Sequence, residues 1–233
     1  MPHPTALKRP RGRPGQSHEH LDAMRRQILA ATRAVFILRG YHGLSVELIV
    51  TQAGISRPTF YKYFTNCDAA IDQLLGELNA ELLSGLTQVT DQAQGVADKV
   101  EAALDYCRHW GHAQGAMLRP LFAELHDPHS PASKHRQHTL QQLATRLNQL
   151  IETLGRARPP GLLVEVLINA VEFLLYRFHL QTPDDDAAWQ ITRSAMLRLV
   201  LGLLGNQQDW AHALPIAQAL NIDLNAVELP DAP

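Results

Sequence analysis

The chain has 233 residues, 45% of them hydrophobic and 19% charged, enough apolar material to bury a core in one large domain or in a small domain joined to a larger one. Its two cysteines, Cys67 and Cys107, fall in no metal or redox spacing, Met1 to Pro14 has no apolar core to act as a secretion signal, and no apolar run is long enough for a membrane span. A cytoplasmic, all-α protein without a membrane segment is expected, and its formal charge of −2 is unevenly divided: ten basic against three acidic residues through Asn66, or +7, and eleven against twenty beyond it, or −9. That division suits contact with a polyanion at one end only.

Residues 1–16 are rich in Pro, Gly and Arg without periodicity and are expected to form a disordered arm. Lys8, Arg9, Arg11, Gly12 and Arg13 lie there in the run K-R-P-R-G-R-P, whose core resembles an AT-hook. Gly12 lets the backbone approach the floor of a narrow minor groove, and the prolines keep the flanking arginines extended along it. A basic tail that raises affinity without base preference accounts for the same residues.

Residues 17–66 are expected to form a helix-turn-helix unit of three helices. Leu21, Met24, Ile28, Ala31, Val35 and Leu38 recur at steps of three and four, placing them on the buried face of a helix that starts between Ser17 and His20 and stops at Gly40. Ser45 then caps a helix with Val46, Ile49, Val50 and Ala53 inward, and Gly54 supplies the left-handed residue that ends it. Ser56 caps the next helix, where Pro58 sits in the first turn without cost and directs the Ser56 hydroxyl to the N–H of Thr59.

On that second helix Phe60 and Phe64 are four apart and mark the core side. Pro58, Thr59 and Lys62 then face away, Tyr61 and Tyr63 flank them, and Arg57 occupies the first turn, where recognition helices touch base edges. Arg57 suits a bidentate contact to guanine, and Thr59 and Pro58 an apolar contact to a thymine methyl. Lys62 and the tyrosine hydroxyls suit phosphates, packing being the alternative for Tyr61 and Tyr63. Ser45, with the free N–H groups of its helix start, suits another phosphate.

Residues 67–205 are expected to form a larger helical body. Asn66 caps a connector helix with Ile71, Leu74, Leu75, Leu78 and Leu82 along it. Further helices are predicted over 96–114, 117–125, 134–154, 162–180 and 187–204, separated by turn chemistry at Gly115, 127–131, 155–161 and 182–186. The last two carry apolar stripes too wide for one contact, including Leu162, Val166 and Leu174 in one and Ile191, Met196 and Leu203 in the other, which predicts a homodimer through them. Trp110, Met117, Leu121, Phe122, Phe173 and Tyr176 are candidates for the wall of an effector pocket. The pairs His109/His112, His126/His129 and His135/His138 lack a Cys or a third fixed ligand, so neither a metal nor a cofactor is expected. Residues 206–233 form a tail with a short helix predicted around Trp210 to Leu220.

The stretch G-Y-H-G-L-S-V-E-L-I-V-T-Q-A-G-I-S-R-P-T-F-Y-K-Y-F-T-N, Gly40 to Asn66, resembles the DNA-binding signature of TetR-type (TetR/AcrR) transcriptional regulators. The resemblance implies a homodimer that places two recognition helices in successive major grooves of double-stranded DNA. It also implies a C-terminal body that binds a small molecule, the effector of unknown identity swinging the connector helix and releasing a repressor from its operator. Where the family often has a Lys at the start of the connector, this chain has Cys67. An architectural or activating DNA binder, dominated by the arm and without an effector, is the other function these residues permit. No phosphate loop or nucleophile turn suggests an enzyme.

Overall fold

The computed structural model describes residues 18–205. The arm, and with it Lys8, Arg9, Arg11, Gly12 and Arg13, lies outside the described residues, as does the helix expected near Trp210. Only helices and turns occur among those described: α1 (His18–Arg39), α2 (Val46–Ala53), α3 (Arg57–Phe60), α4 (Cys67–Gln92), α5 (Gly95–Gln114), α6 (Leu118–Glu124), α7 (Pro131–Thr153), α8 (Gly161–Gln181) and α9 (Asp186–Leu204), with a 3-10 turn at Gly115–Met117 before α6.

The caps behave as the residue types dictate. Ser45 and Ser56 accept from the N–H groups of Leu48 and Thr59, both at 3.3 Å. Asn66 accepts from Ala69 at 2.8 Å. Gly54 adopts φ 65°, and the Ile55 N–H returns to the Val50 carbonyl at 3.0 Å, closing α2 in the left-handed manner that glycine permits. Helix α7 starts at Pro131, three residues before the predicted start, because Ser130 caps it and proline fits the first helical position.

Helices α1, α2 and α3 enclose Ile28, Phe36, Ile49 and Phe60, each with no exposed surface. Leu38 departs from the expected stripe and is 76% exposed. The last turn of α1 is covered instead from the side of Ile37, which packs on the core, and Gly40, which approaches Glu124.

Helix α4 has 26 residues and is therefore about 39 Å long. Its first half, from Ala70 to Leu78, belongs to the head's core, and that same cluster continues into Met117, Leu121, Leu125 and Ala132 of the body. The boundary drawn between residues 66 and 67 thus falls at a helix cap and not at a break in the core. A second cluster joins α5, α8 and α9 through Leu104, Phe178, Trp189 and Met196, with the Arg108 guanidinium 5.1 Å from the Trp189 ring and paired with Asp186.

Polar contacts also tie head to body. Arg33 donates to the carbonyl and side-chain oxygens of Gln114 at 3.1 and 2.9 Å. Glu124, 8% exposed, accepts from the Tyr41 N–H at 2.6 Å and from the Ser130 hydroxyl at 2.7 Å.

His42 and Asp127 lie 2.6 Å apart across the same junction. Their hydrogen bond raises the His42 pKa and lowers that of Asp127. The pair is charged only between those two values. Its contribution is complete from the ordinary carboxylate value of 3.8 to the ordinary imidazole value of 6.5, and is lost as pH rises through the raised His42 value or falls through the lowered Asp127 value. Melting curves of the native chain and Asp127→Asn should differ most between the ordinary carboxylate and imidazole values and converge as pH rises through the raised His42 value; a gap independent of pH would show that no ion pair forms.

Candidate nucleic-acid interface and ligand cavity

Helix α3 is a single turn, shorter than the helix expected to run through Phe64. From Tyr61 the chain continues in tighter turns, with the Tyr63 and Phe64 N–H groups both returning to the Phe60 carbonyl at 2.9 and 3.1 Å. Phe60 and Phe64 still meet, their ring centroids 5.8 Å apart, and both are buried. Arg25 of α1 lies 5.2 Å over the Phe64 ring and donates to Gln73 of α4 at 2.6 Å, fixing this turn between two helices.

With that side anchored, the opposite side is presented outward. Arg57, Pro58, Tyr61 and Lys62 are exposed, and Ser56 with them, whereas Thr59 and Ser45 are half-buried beside their caps. Tyr63 is half-buried against the core, so packing claims at least part of that ring. Arg57 is not free: it donates to Glu47 of α2 at 2.7 Å, with both side chains well exposed. An exposed pair of this kind is worth little in stability. It holds the guanidinium over the α2–α3 turn. Sequence reasoning passed over Glu47, which lies ten positions away and becomes a neighbour only when the turn closes.

Arg57→Ala is expected to lower affinity for a cognate duplex by about 1–3 kcal/mol more than for a scrambled one, as loss of a bidentate base contact would. Equal losses on both duplexes in an anisotropy titration would reduce Arg57 to a phosphate contact.

At the start of α4, Cys67 stands beside Asp68, whose carboxylate accepts from the Tyr41 hydroxyl at 3.1 Å. Partial burial and that carboxylate raise the Cys67 pKa, so the thiol stays neutral and offers no charge to a phosphate.

Behind the head, α4 to α9 line a half-open cavity of about 320 Å³. One stripe of α4, Leu75, Asn79, Leu82, Leu86 and Thr90, lines it, and most of the remaining wall is leucine, isoleucine and valine. The apolar pattern seen along the connector in the sequence therefore faces the head's core through Leu78 and the cavity beyond it. Of the six residues expected in the wall, Trp110, Leu121 and Tyr176 line it. Met117 is fully buried in the core shared by head and body, and Phe122 packs there with its ring 4.8 Å from that of Tyr176. Phe173 is the clearest correction: it is 55% exposed, because α8 turns Val171, Leu174 and Leu175 inward and leaves Phe173 on the outer face with Val166.

The wall also contains polar groups the sequence did not single out. His179 packs so closely on Gly111 that a Cβ there would lie 2.2 Å from Nε2, which makes Gly111 the point of closest approach of α5 and α8. Burial holds the His179 pKa down at about 4, outweighing the opposing effect of the Cys107 carbonyl, so the ring is neutral at physiological pH. Lys99, Arg136, Arg146 and Glu172 complete the charged wall.

The histidine pairs do not converge. His109 contacts the Asp105 carbonyl, His112 approaches Asp184, and His135 pairs with Asp72. Among the described residues no group of three or more His, Cys, Asp or Glu side chains is placed to hold a metal.

A capped helix, a left-handed glycine and a second capped turn backed by α1 define a helix-turn-helix protein. Residues 28–71 match the family described as bacterial regulatory proteins, tetR family. The chain is 34% identical over 92 residues to the HTH-type transcriptional activator FasR of Mycolicibacterium smegmatis, a stretch that is 38% of this chain and 42% of that protein's length. Its fold is that of a TetR-family transcriptional regulator from Pectobacterium atrosepticum (TM-score 0.56, 19% identity, 82% of this chain and 99% of the other). It is likewise that of the transcriptional regulator FadR from Bacillus subtilis in complex with stearoyl-CoA (TM-score 0.63, 16% identity, 78% and 99%). No helix among the described residues is long and apolar enough to cross a membrane.

Proposed function

We propose that this protein is a sequence-specific DNA-binding transcriptional regulator whose affinity for its operator is set by an elongated apolar ligand bound in the body. The cavity carries the reading. Its long wall is the distal part of α4, and the proximal part of the same helix is built into the head's core, so a ligand that shifts α4 shifts the head. The FadR relative, solved with stearoyl-CoA, supports a fatty acyl chain as the ligand class.

Two copies pair through the outer face of α8 and α9, where Leu162, Val166, Phe173 and Ile191 are exposed in the single chain. Arg57, Thr59, Pro58 and the exposed Tyr61 and Lys62 meet the DNA, and the ligand releases a repressor. The relative named as an activator favours a second reading, in which the same ligand switch promotes transcription.

The test is fluorescence anisotropy of the full chain on duplexes tiling its own upstream region, across a salt series and with a scrambled control. Tight binding to one near-palindromic segment that persists at moderate salt, weakened by long-chain acyl ligands, is expected. Equal and steeply salt-sensitive binding to every duplex would sink the specific reading. Removing residues 1–14 should weaken binding more on A-T-flanked than on G-C-flanked sites, as a minor-groove arm requires; equal losses would leave only a basic tail.

A further inference from the structure

Two cations of the cavity wall converge on one place. Lys99, in the first turns of α5, donates to the carbonyls of Thr90 and, at 2.8 Å, Ala93. Arg146, reaching across from α7, pairs with Asp91. Thr90, Asp91 and Ala93 are the closing residues of α4, so both side chains meet at its C-terminal end, the end farthest from the head. Lys99, Arg146 and Thr90 all line the cavity, whereas Asp91 does not.

The charge at the other end differs. There Arg136 is held by both oxygens of Glu172, at 2.9 and 3.1 Å from Nε, and by Asn169 at 2.6 Å, so its charge is neutralised in place. Glu172 is the sole carboxylate in the wall among the described residues, and His179 is neutral. The positive charge of the wall that no carboxylate cancels is therefore that of Lys99 at the α4 C-terminus, beside the Arg146–Asp91 pair. The Lys99 ammonium is held there by carbonyl oxygens, which solvate it without cancelling it, and the buried Arg146 Nε makes no hydrogen bond among the described residues. From Thr90 to Leu75 the α4 stripe then runs toward the head for about 22 Å, leucine at Leu86, Leu82 and Leu75 with Asn79 as its one polar interruption.

We infer that the cavity takes an anionic amphiphile in one orientation, with its negative head at Lys99 and Arg146 and its apolar chain running along α4 toward Trp110. The inference rests on the proposed apolar-ligand reading and adds a charged head and a direction. A free long-chain carboxylate and the phosphates of an acyl thioester share this chemistry.

Displacement of a fluorescent fatty acid from the full chain tests it, with a C8–C18 carboxylate series, the matching alcohols and the coenzyme A thioesters as competitors. The native protein should favour acid over alcohol by about tenfold or more, the size of a charge-assisted contact. Lys99→Met with Arg146→Met should abolish that preference while leaving alcohol binding unchanged, and Lys99→Arg should retain it. Unchanged alcohol binding also reports that the variants remain folded. A thioester that outcompetes the acid with the same dependence identifies phosphates as the head; the reverse order identifies the carboxylate. Alcohols binding as well as acids to the native protein, or variants that lose both equally, would overturn the inference alone. Failure of every chain-bearing competitor to bind would remove the ligand reading beneath it.

Discussion

Phe60→Ala should cost about 3–5 kcal/mol of stability and eliminate specific DNA binding. Phe60 has no exposed surface, lies between α1, α2 and the following turn, and contacts the rings of Tyr61 and Phe64 edge-on and tilted. Helix α3 is only one turn long, so its place is not held by helix propensity; the two phenylalanines hold it. Removing the more deeply buried of the two leaves a cavity under the residues proposed to meet the major groove. Chemical denaturation should register the loss, and Phe60→Leu should recover most of it. If Phe60→Ala unfolded at the native midpoint, the α3 turn would not depend on this packing.

Glu124→Ala is expected to destabilise the chain by about 2–3 kcal/mol and to uncouple the head from the cavity. Its carboxylate accepts from Tyr41 in the α1–α2 turn and from Ser130, which caps α7, so one side chain joins the head to two body elements. Alanine strands both donors, the Ser130 hydroxyl among them fully buried. Glu124→Gln should cost less, since its amide oxygen still accepts one of them. Gly40, at φ 67°, brings the α1 turn so close that an added Cβ would lie 2.8 Å from the Glu124 oxygen, which accounts for glycine at this position. The readout is twofold: the denaturation midpoint, and the ligand-dependent change in duplex affinity. A variant that keeps a full ligand response would show that the signal passes through α4 alone.

Most of the head was legible in the sequence because its determinants are local. Ser45, Gly54, Ser56, Pro58 and Asn66 each act on a backbone group within a few residues, and these caps and stops fall where residue chemistry places them. The helix order of the body was legible for the same reason, down to the turn chemistry that separates α5 from α6 and α8 from α9.

What lay beyond the sequence depends on neighbours far apart in the chain. A periodic stripe states that a face is apolar, not what covers it: Leu38 sits in such a stripe and is exposed, while Leu82 sits in one and lines a cavity. The same applies to charge. Glu47 for Arg57, Glu172 for Arg136, and Thr90 and Ala93 for Lys99 are partners chosen by helix packing. The sequence by itself determined the all-helical fold and the helix-turn-helix, because capping and periodicity act over one or two turns. Only the tertiary structure decided which apolar face became core, which became cavity, and where the uncancelled charge came to rest, because burial and Coulomb energies depend on distances that chain order does not set.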